Sequence, residues 1–381
     1  MIRIQCTDDF KSNPATIKVV GVGGAGGNAI NRMREAGLRG VELIAANTDA
    51  QVLRKNLADI RIQMGEALTR GLGVGGDPAR GKAAAEESRE LIREVLTGSD
   101  MVFFTAGMGG GTGTGGAPVV AAIARELGIL TVGVVSRPFD FEGRLKSGLA
   151  ENGIKEMRQY VDTLLVIPND RIFGVIEDST PSLEAYRRAD DVLRQAVQAV
   201  TDLITTSGDI NLDLADVRSI MGGAGEALIG IGEASGPNRA LEAAKKAVTS
   251  PLLESLSIDG AKGMIVNVCG TKSLPLHEVR EAMDHIHRMA SPEVKFKFGQ
   301  AYDETMGDGI KITVIATGFP AARRGGRVLS REAAARANGA KPSRIALRSP
   351  VPFEPEHRPA EDAAENWLKP AFLRLKAKKL K

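Results

Sequence analysis

Two glycine-rich segments dominate the chemistry available to this chain. The first, GVGGAGG at Gly21 to Gly27, contains a literal GxGxxG between the apolar run IKVVGV and a helical pattern through Ala29, Ile30 and Met33. Residues without Cβ let backbone amides approach phosphate oxygens, and the N-terminus of the following helix adds partial positive charge. Alone, this loop reads as a dinucleotide-binding turn with Glu42 or Asp49 as the ribose acid, or as a tight turn with no ligand. The second segment, AGMGGGTGTGG at 106 to 116, follows MVFFT and runs into a helix starting near Ala117 and Pro118. Gly109, Gly110, Gly111, Gly113, Gly115 and Gly116 present successive amides, and the hydroxyls of Thr112 and Thr114 add donors. A structural turn needs only one or two glycines. Two such loops closing on one site fit a triphosphate, whereas a dehydrogenase has no role for the second.

Three other groups are weaker. GDPARGKA at 76 to 83 approaches a Walker A motif, but Ala83 stands where the magnesium-binding Ser or Thr belongs and no apolar strand precedes it. It reads as a helix start, with Asp77 as N-cap, Pro78 at the first helical position and the preceding glycines lining the γ-phosphate pocket. Asn211, Asp213 and Asp216 in NLDLAD read, as plain sequence, as a turn and helix cap. His277, His285, His287 and His357, with Cys6 and Cys269, form no metal-ligand pattern.

The elements that must position these loops alternate. Strand-like runs at 17 to 22, 41 to 46, 100 to 105, 130 to 136 and 162 to 167 are separated by helical patterns, including one from Pro78 to Leu96 interrupted at Gly81. That alternation predicts an α/β fold, a parallel sheet covered on both faces with ligands at the strands' carboxyl ends. An amphipathic stretch from Ser182 to Ile204 is too long for an ordinary crossover and predicts a bridging helix. A second α/β unit follows, with strands at 264 to 268, 294 to 298 and 310 to 317 and helices at 240 to 249 and 277 to 289.

Composition narrows the class. The chain has 381 residues, 43% hydrophobic and 25% charged, which is globular. Aromatic residues are only 4%, which argues against an extended base-stacking surface. Of 44 glycines, 25 fall in residues 1 to 150, where the loops lie. From Pro320 onward 15 basic residues face 6 acidic ones, leaving 35 basic against 41 acidic before it. An acidic body with a basic tail argues against a nucleic-acid groove and marks the tail as a separate segment. Two cysteines, no apolar run of membrane-span length and no apolar signal core predict a cytoplasmic protein.

GGGTGTGG is similar to the tubulin-family signature, and residues 12 to 319 resemble the bacterial FtsZ cell-division GTPases of that family. GVGGAGGNAINRM (21 to 33), NTDAQ (47 to 51), RPFDFEGR (137 to 144), IPND (167 to 170) and NLDLADVRSIM (211 to 221) agree in order and spacing. The resemblance implies a tubulin-like, Rossmann-type GTP-binding domain over 1 to 181, with an N-terminal extension at 1 to 14. A central helix at 182 to 205 joins it to a GTPase-activating and polymerisation domain at 206 to 319.

It also implies a nucleotide site of Gly23, Gly24, Ala25, Gly27, Asn28, Asn47, Asp49, Gly107, Met108, Gly109, Gly110, Gly111, Thr112, Gly113, Thr114 and Gly115. Asn28, Asn169, Tyr186 and Asp190 would surround guanine, and Glu142 would reach the ribose and phosphates, with Lys146 where the family usually has arginine. The implied ligands are GTP or GDP with Mg2+, with a monovalent cation as a further candidate. Asn211, Asp213 and Asp216 would be catalytic toward the nucleotide of the next subunit in a head-to-tail filament, assembled at mid-cell on the inner face of the membrane. Residues 320 to 366 read as a disordered linker of 47 residues, reaching about 35 to 40 Å, before a peptide at 367 to 381 containing Trp367, Leu368 and PAFLR. The resemblance assigns that peptide to membrane-anchoring and regulatory division proteins.

Overall fold

The computed structural model describes residues 15–174, 176–177, 179–205, 212–249 and 258–319. The first half alternates as the sequence predicts: β1 (Ile17–Val22), α1 (Gly23–Glu35), β2 (Val41–Asn47), α2 (Ala50–Arg54), β3 (Ile60–Gln63), α3 (Glu66–Thr69), α4 (Pro78–Glu87), α5 (Arg89–Leu96) and β4 (Met101–Gly107). It continues with α6 (Thr112–Glu126), β5 (Leu130–Arg137), α7 (Arg144–Met157), β6 (Thr163–Pro168) and α8 (Ser182–Thr205). The second half comprises α9 (Leu214–Met221), β7 (Gly225–Ser235), α10 (Arg239–Val248), β8 (Gly263–Gly270), α11 (Leu276–Met289), β9 (Lys295–Tyr302) and β10 (Gly309–Thr317).

Ten strands form one sheet in the order β3-β2-β1-β4-β5-β6-β7-β10-β8-β9. The first six are parallel, which explains their near-continuous apolar character, since both faces are covered. Adjacent side chains serve opposite faces: Val19 and Phe103 enter a core under α1, α8 and α9, while Val20 and Phe104 enter the core under α6 and α7. Ile229, Ile265 and Ile315 from the second half join the first of these cores, so α8 packs on strands from both halves.

The second half departs from a purely parallel sheet, because β10 runs antiparallel to both β7 and β8. The strand β7 (GEALIGIGEAS) is hard to read in the sequence because glycines break its apolar alternation. Gly232 is required there: a Cβ on it would lie 2.0 Å from the Ala243 carbonyl oxygen of α10. The pattern from Pro78 to Leu96 also divides, at Ser88 rather than Gly81. Gly81 stays within α4, where a Cβ would lie 2.4 Å from the Gly111 carbonyl oxygen; the residue serves close approach to the glycine loop.

Arg239 fastens α10 to its neighbours. Its guanidinium reaches Glu278 of α11 at 2.7 Å and Asp308 before β10 at 2.7 Å, with the arginine side chain 12% exposed. Arg239→Ala leaves a largely covered Glu278 without its partner and is expected to cost about 2 kcal/mol, read as a lowered denaturation midpoint. Arg239→Lys keeps the charge but not the two-pronged geometry and is expected to recover only part of the loss. Equal midpoints for all three proteins would refute this account.

Candidate functional site

Both glycine loops lie at the carboxyl ends of paired parallel strands, since Val22 of β1 pairs with Ala106 of β4. Helices α1 and α6 begin there, at Gly23 and Thr112, and neither has a side-chain cap or an acidic residue in its first turn. The two N-termini touch. A Cβ on Gly23, whose φ is +75°, would lie 2.9 Å from the Gly113 nitrogen, and one on Gly113 would lie 2.7 Å from the Gly107 carbonyl oxygen. Gly24 and Gly110 instead face open space. Two uncapped helix N-termini thus converge on one exposed backbone surface, which binds anions by amide hydrogen bonds and helix dipole together.

The remaining loop residues hold this surface in place. The Thr114 hydroxyl is buried and accepts from the Gly109 nitrogen at 2.8 Å, a bond that shapes the loop and leaves its O–H as a donor. Thr112 does present its hydroxyl, 2.8 Å from that of Thr48. Met108 sends its side chain into the core, so only its backbone belongs to the loop. Ala25 packs on Gly107, where a Cβ would lie 2.7 Å from the alanine methyl, and the Gly27 carbonyl accepts from Asn56. A Cβ on Gly115 would lie 2.0 Å from the Pro78 carbonyl oxygen, which fixes α6 against α4.

Asn47 ends β2 at the same edge and accepts from Thr48 and Asp49 nitrogens, while the Asp49 carboxylate caps α2. Glu42 pairs with Lys18 far back along its strand and is not near the loops. A third glycine segment completes the floor. Gly71, Gly73, Gly75 and Gly76 all have positive φ, Gly73 donates to the Thr48 carbonyl, and a Cβ on Gly111 would lie 2.9 Å from the Asp77 nitrogen. The Walker-like segment is a helix start: Asp77 caps α4, and Lys82 is held by Glu156 at 2.7 Å.

A polar and aromatic cluster lies beside α1 and the first turns of α8. Asn28 lies beside the Asp190 carboxylate, and burial pushes that carboxylate up to about 6 against the opposing pull of Arg32 and Asn28. Tyr186 is half exposed and meets Phe139 edge-on at 5.6 Å, and Phe139 also stacks with Phe141 at 4.9 Å and touches Phe173. Four of the chain's few aromatic rings therefore gather here. Glu142 is tied to Lys146 at 2.9 Å and accepts from the Phe139 nitrogen, so the lysine charge is balanced locally. Asn169 lines a cavity of about 870 Å3 between α8 and the β7 and β10 strands, along with Arg32, Asp191 and Lys311; no glycine-loop residue lines it.

Asp213 and Asp216 lie at the other end of the sheet. Asp213 caps α9 by accepting from the Asp216 nitrogen, and Asp216 is bonded by Lys297 of β9 at 2.5 Å, which holds its carboxyl below the usual range. Arg218 of the same helix donates to the carbonyl of Asp100, just before β4, whereas the glycine loop begins at Gly107 at that strand's other end. Seven residues of strand separate these ends by roughly 20 Å. Asn211 falls outside the described residues.

Several participants carried little signal. Thr48 lies between two polar residues of NTDAQ, and Phe173 and Lys297 belong to no motif. Arg32 was within reach of sequence reasoning, since it follows Asn28 by one helical turn.

Converging helix N-termini at the carboxyl edge of a parallel sheet define a nucleotide-binding protein of the α/β class. Residues 16–177 match the GTPase domain of the tubulin/FtsZ family and residues 225–320 match the FtsZ C-terminal domain. The fold is similar to that of an empty FtsZ dimer from M. jannaschii at 44% identity and a TM-score of 0.77, covering 81% of this chain and 89% of that one. A point variant of the M. jannaschii protein matches at 44% identity and a TM-score of 0.76, over 80% and 92%. A GTPγS-bound protofilament of CetZ2 from Haloferax volcanii shares the fold at 23% identity and a TM-score of 0.69, over 85% and 99%. The chain belongs to the tubulin/FtsZ family and is a GTPase. Among the described residues no helix is long and apolar enough to cross a membrane.

Proposed function

We propose that this GTPase assembles head to tail into filaments of the bacterial division ring, and that Asp213 and Asp216 of one subunit complete the nucleotide site of the next. The observation that carries this reading is the separation of the two aspartates from the glycine loops by the length of the sheet, roughly 20 Å. Within one chain they cannot meet. A second chain stacked end to end brings one set to the other, and such a heterologous contact does not close, so it propagates. The relatives described as a dimer and a protofilament support this reading.

In this scheme the glycine loops bind the phosphates through amides and the Thr112 hydroxyl. Asn28, Asn169, Tyr186 and Asp190 hold the guanine, and Glu142 and Lys146 flank the sugar and phosphates. The water oxygen forms its bond to the γ-phosphorus as the bond to the β–γ bridging oxygen breaks, giving GDP and phosphate. Asp216 is a weak base, because Lys297 keeps its carboxyl below the usual range, so it orients the water as an acceptor. Among the described residues no group of three or more His, Cys, Asp or Glu could hold a metal ion, and Mg2+ arriving with a triphosphate would take most of its ligands from phosphate and water oxygens. The Thr48 and Thr112 hydroxyls, 2.8 Å apart, would help hold the ion, which would neutralise phosphate charge.

Phosphate release with GTP and with ATP, measured across protein concentration alongside light scattering, tests the scheme. Turnover per subunit is expected to rise with concentration as polymer appears. Turnover independent of concentration would remove the filament from the mechanism.

The basic tail lies outside the described residues and is proposed as the partner-binding peptide for membrane-anchoring division proteins, which would bring the filament to mid-cell. Deleting residues 367–381 is expected to leave GTP turnover and polymer formation nearly unchanged while abolishing co-sedimentation with such adaptors. Loss of hydrolysis, or undiminished co-sedimentation, would contradict this assignment.

A further inference from the structure

The outermost strand of the sheet, β9, is paired only with β8 and carries a lysine where an edge strand has other uses for charge. Lys297 is partly exposed but is turned onto α9 rather than left without a partner as an edge-blunting residue is. Its ammonium donates to Asp216 at 2.5 Å, and the two side chains are 40% and 29% exposed. Two residues further along the same face, Gly299 sits against Leu212: a Cβ there would lie 3.1 Å from the leucine side chain and 3.1 Å from Asn267. One strand face therefore meets the aspartate segment twice, once by leaving room for Leu212 and once by holding Asp216.

The geometry points to Lys297 as a positioning residue for hydrolysis, which fixes the Asp216 carboxylate and offsets its charge where that segment meets the neighbour's triphosphate. The inference rests on the proposed role of Asp216. Asp213 is taken up by capping α9, so Asp216 is the carboxylate whose orientation is set from outside its own helix. A freely rotating Asp216 samples orientations that do not face the attacking water. It also adds a second uncompensated negative charge beside Asp213, opposite a polyanion. Lys297 removes both penalties, and it does so from a strand far from the glycine loops.

The experiment uses the full chain and reads GTP turnover per polymerised subunit, with GTP binding measured on the same proteins. Lys297→Met is expected to leave binding unchanged and to lower turnover about fivefold at saturating GTP, the upper range for a partly exposed ion pair. Lys297→Arg is expected to restore most of it. In an Asp216→Ala background, Lys297→Met is expected to have no further effect, since the acceptor that Lys297 holds is already gone. Lys297→Met subunits mixed with the unaltered protein are expected to lower turnover at their neighbours' nucleotides while still binding GTP themselves. If Asp216→Ala abolishes turnover but Lys297→Met keeps it, the positioning role is wrong and the Asp216 reading stands. An equal loss from Lys297→Met with or without Asp216 also overturns the role, because the lysine then acts elsewhere. If Asp216→Ala itself retains turnover, the underlying reading fails, and the inference fails with it.

Discussion

Asp213→Ala and Asp216→Ala are each expected to bind GTP like the unaltered protein and to lose roughly 100-fold or more in turnover within the polymer. Binding survives because neither residue lies near the glycine loops of its own chain. The two losses have different physical origins. Asp213 accepts from the Asp216 nitrogen at 2.7 Å, so its removal also uncaps α9, which costs about 1 kcal/mol of local stability. Asp213→Asn keeps a cap acceptor while removing the charge, and therefore separates helix capping from catalysis. Asp216→Ala leaves the cap intact and releases Lys297. Copolymers give the decisive reading: subunits lacking these aspartates should lower turnover at the nucleotides of their unaltered neighbours. Undiminished turnover per intact site would remove the shared site from the mechanism.

Much of this arrangement was legible in the sequence, and the reasons are local. The strands at 17 to 22 and 101 to 107 are short apolar runs entering glycines, so periodicity and composition agree on strand, turn and helix. Asp77 with Pro78 announces a helix start by its own chemistry, and the structure places the cap there. What escaped depends on contacts between distant segments. Gly81 looks like an interruption until the Gly111 carbonyl is seen against it, and β7 looks like a loop until α10 is packed onto Gly232. Thr112 and Thr114 are indistinguishable by type and spacing. Only the fold shows that one hydroxyl meets Thr48 and the other accepts from Gly109. The antiparallel return of β10 between β7 and β8 follows from tertiary pairing, which alternating strand and helix patterns do not encode.

The second large effect concerns Asp190, which reads the base in the proposed site. Guanine offers two adjacent donors, and an ionised carboxylate accepts both, whereas Asp190→Asn sets an amide donor against one of them. A mispaired buried donor is expected to reduce the preference for GTP over ATP by roughly 10- to 100-fold, measured by competition. The structure adds a pH signature. Burial pushes the Asp190 carboxylate up to about 6, with Arg32 and Asn28 opposing, and next to it in sequence stands Asp191, whose carboxyl is held below the usual range against burial by hydrogen bonds from Arg194 and Gln195. For folding, the sign is that of a raised acid: the neutral form is favoured in the native state, so this contribution is full at low pH and is lost as pH rises through about 6. For GTP binding the sign is opposite, because the base requires the charged form. Affinity is therefore expected to fall as pH drops below about 6, toward tenfold per unit, while the empty protein gains stability over the same interval. Comparison with Asp190→Asn cancels the titration of the nucleotide phosphates, since both proteins bind the same ligand. A ratio of GTP affinities of the two proteins that stays constant between pH 5 and pH 7 (about one unit on either side of 6) would refute the pH signature, and an unchanged preference for GTP over ATP in Asp190→Asn would remove Asp190 from reading guanine.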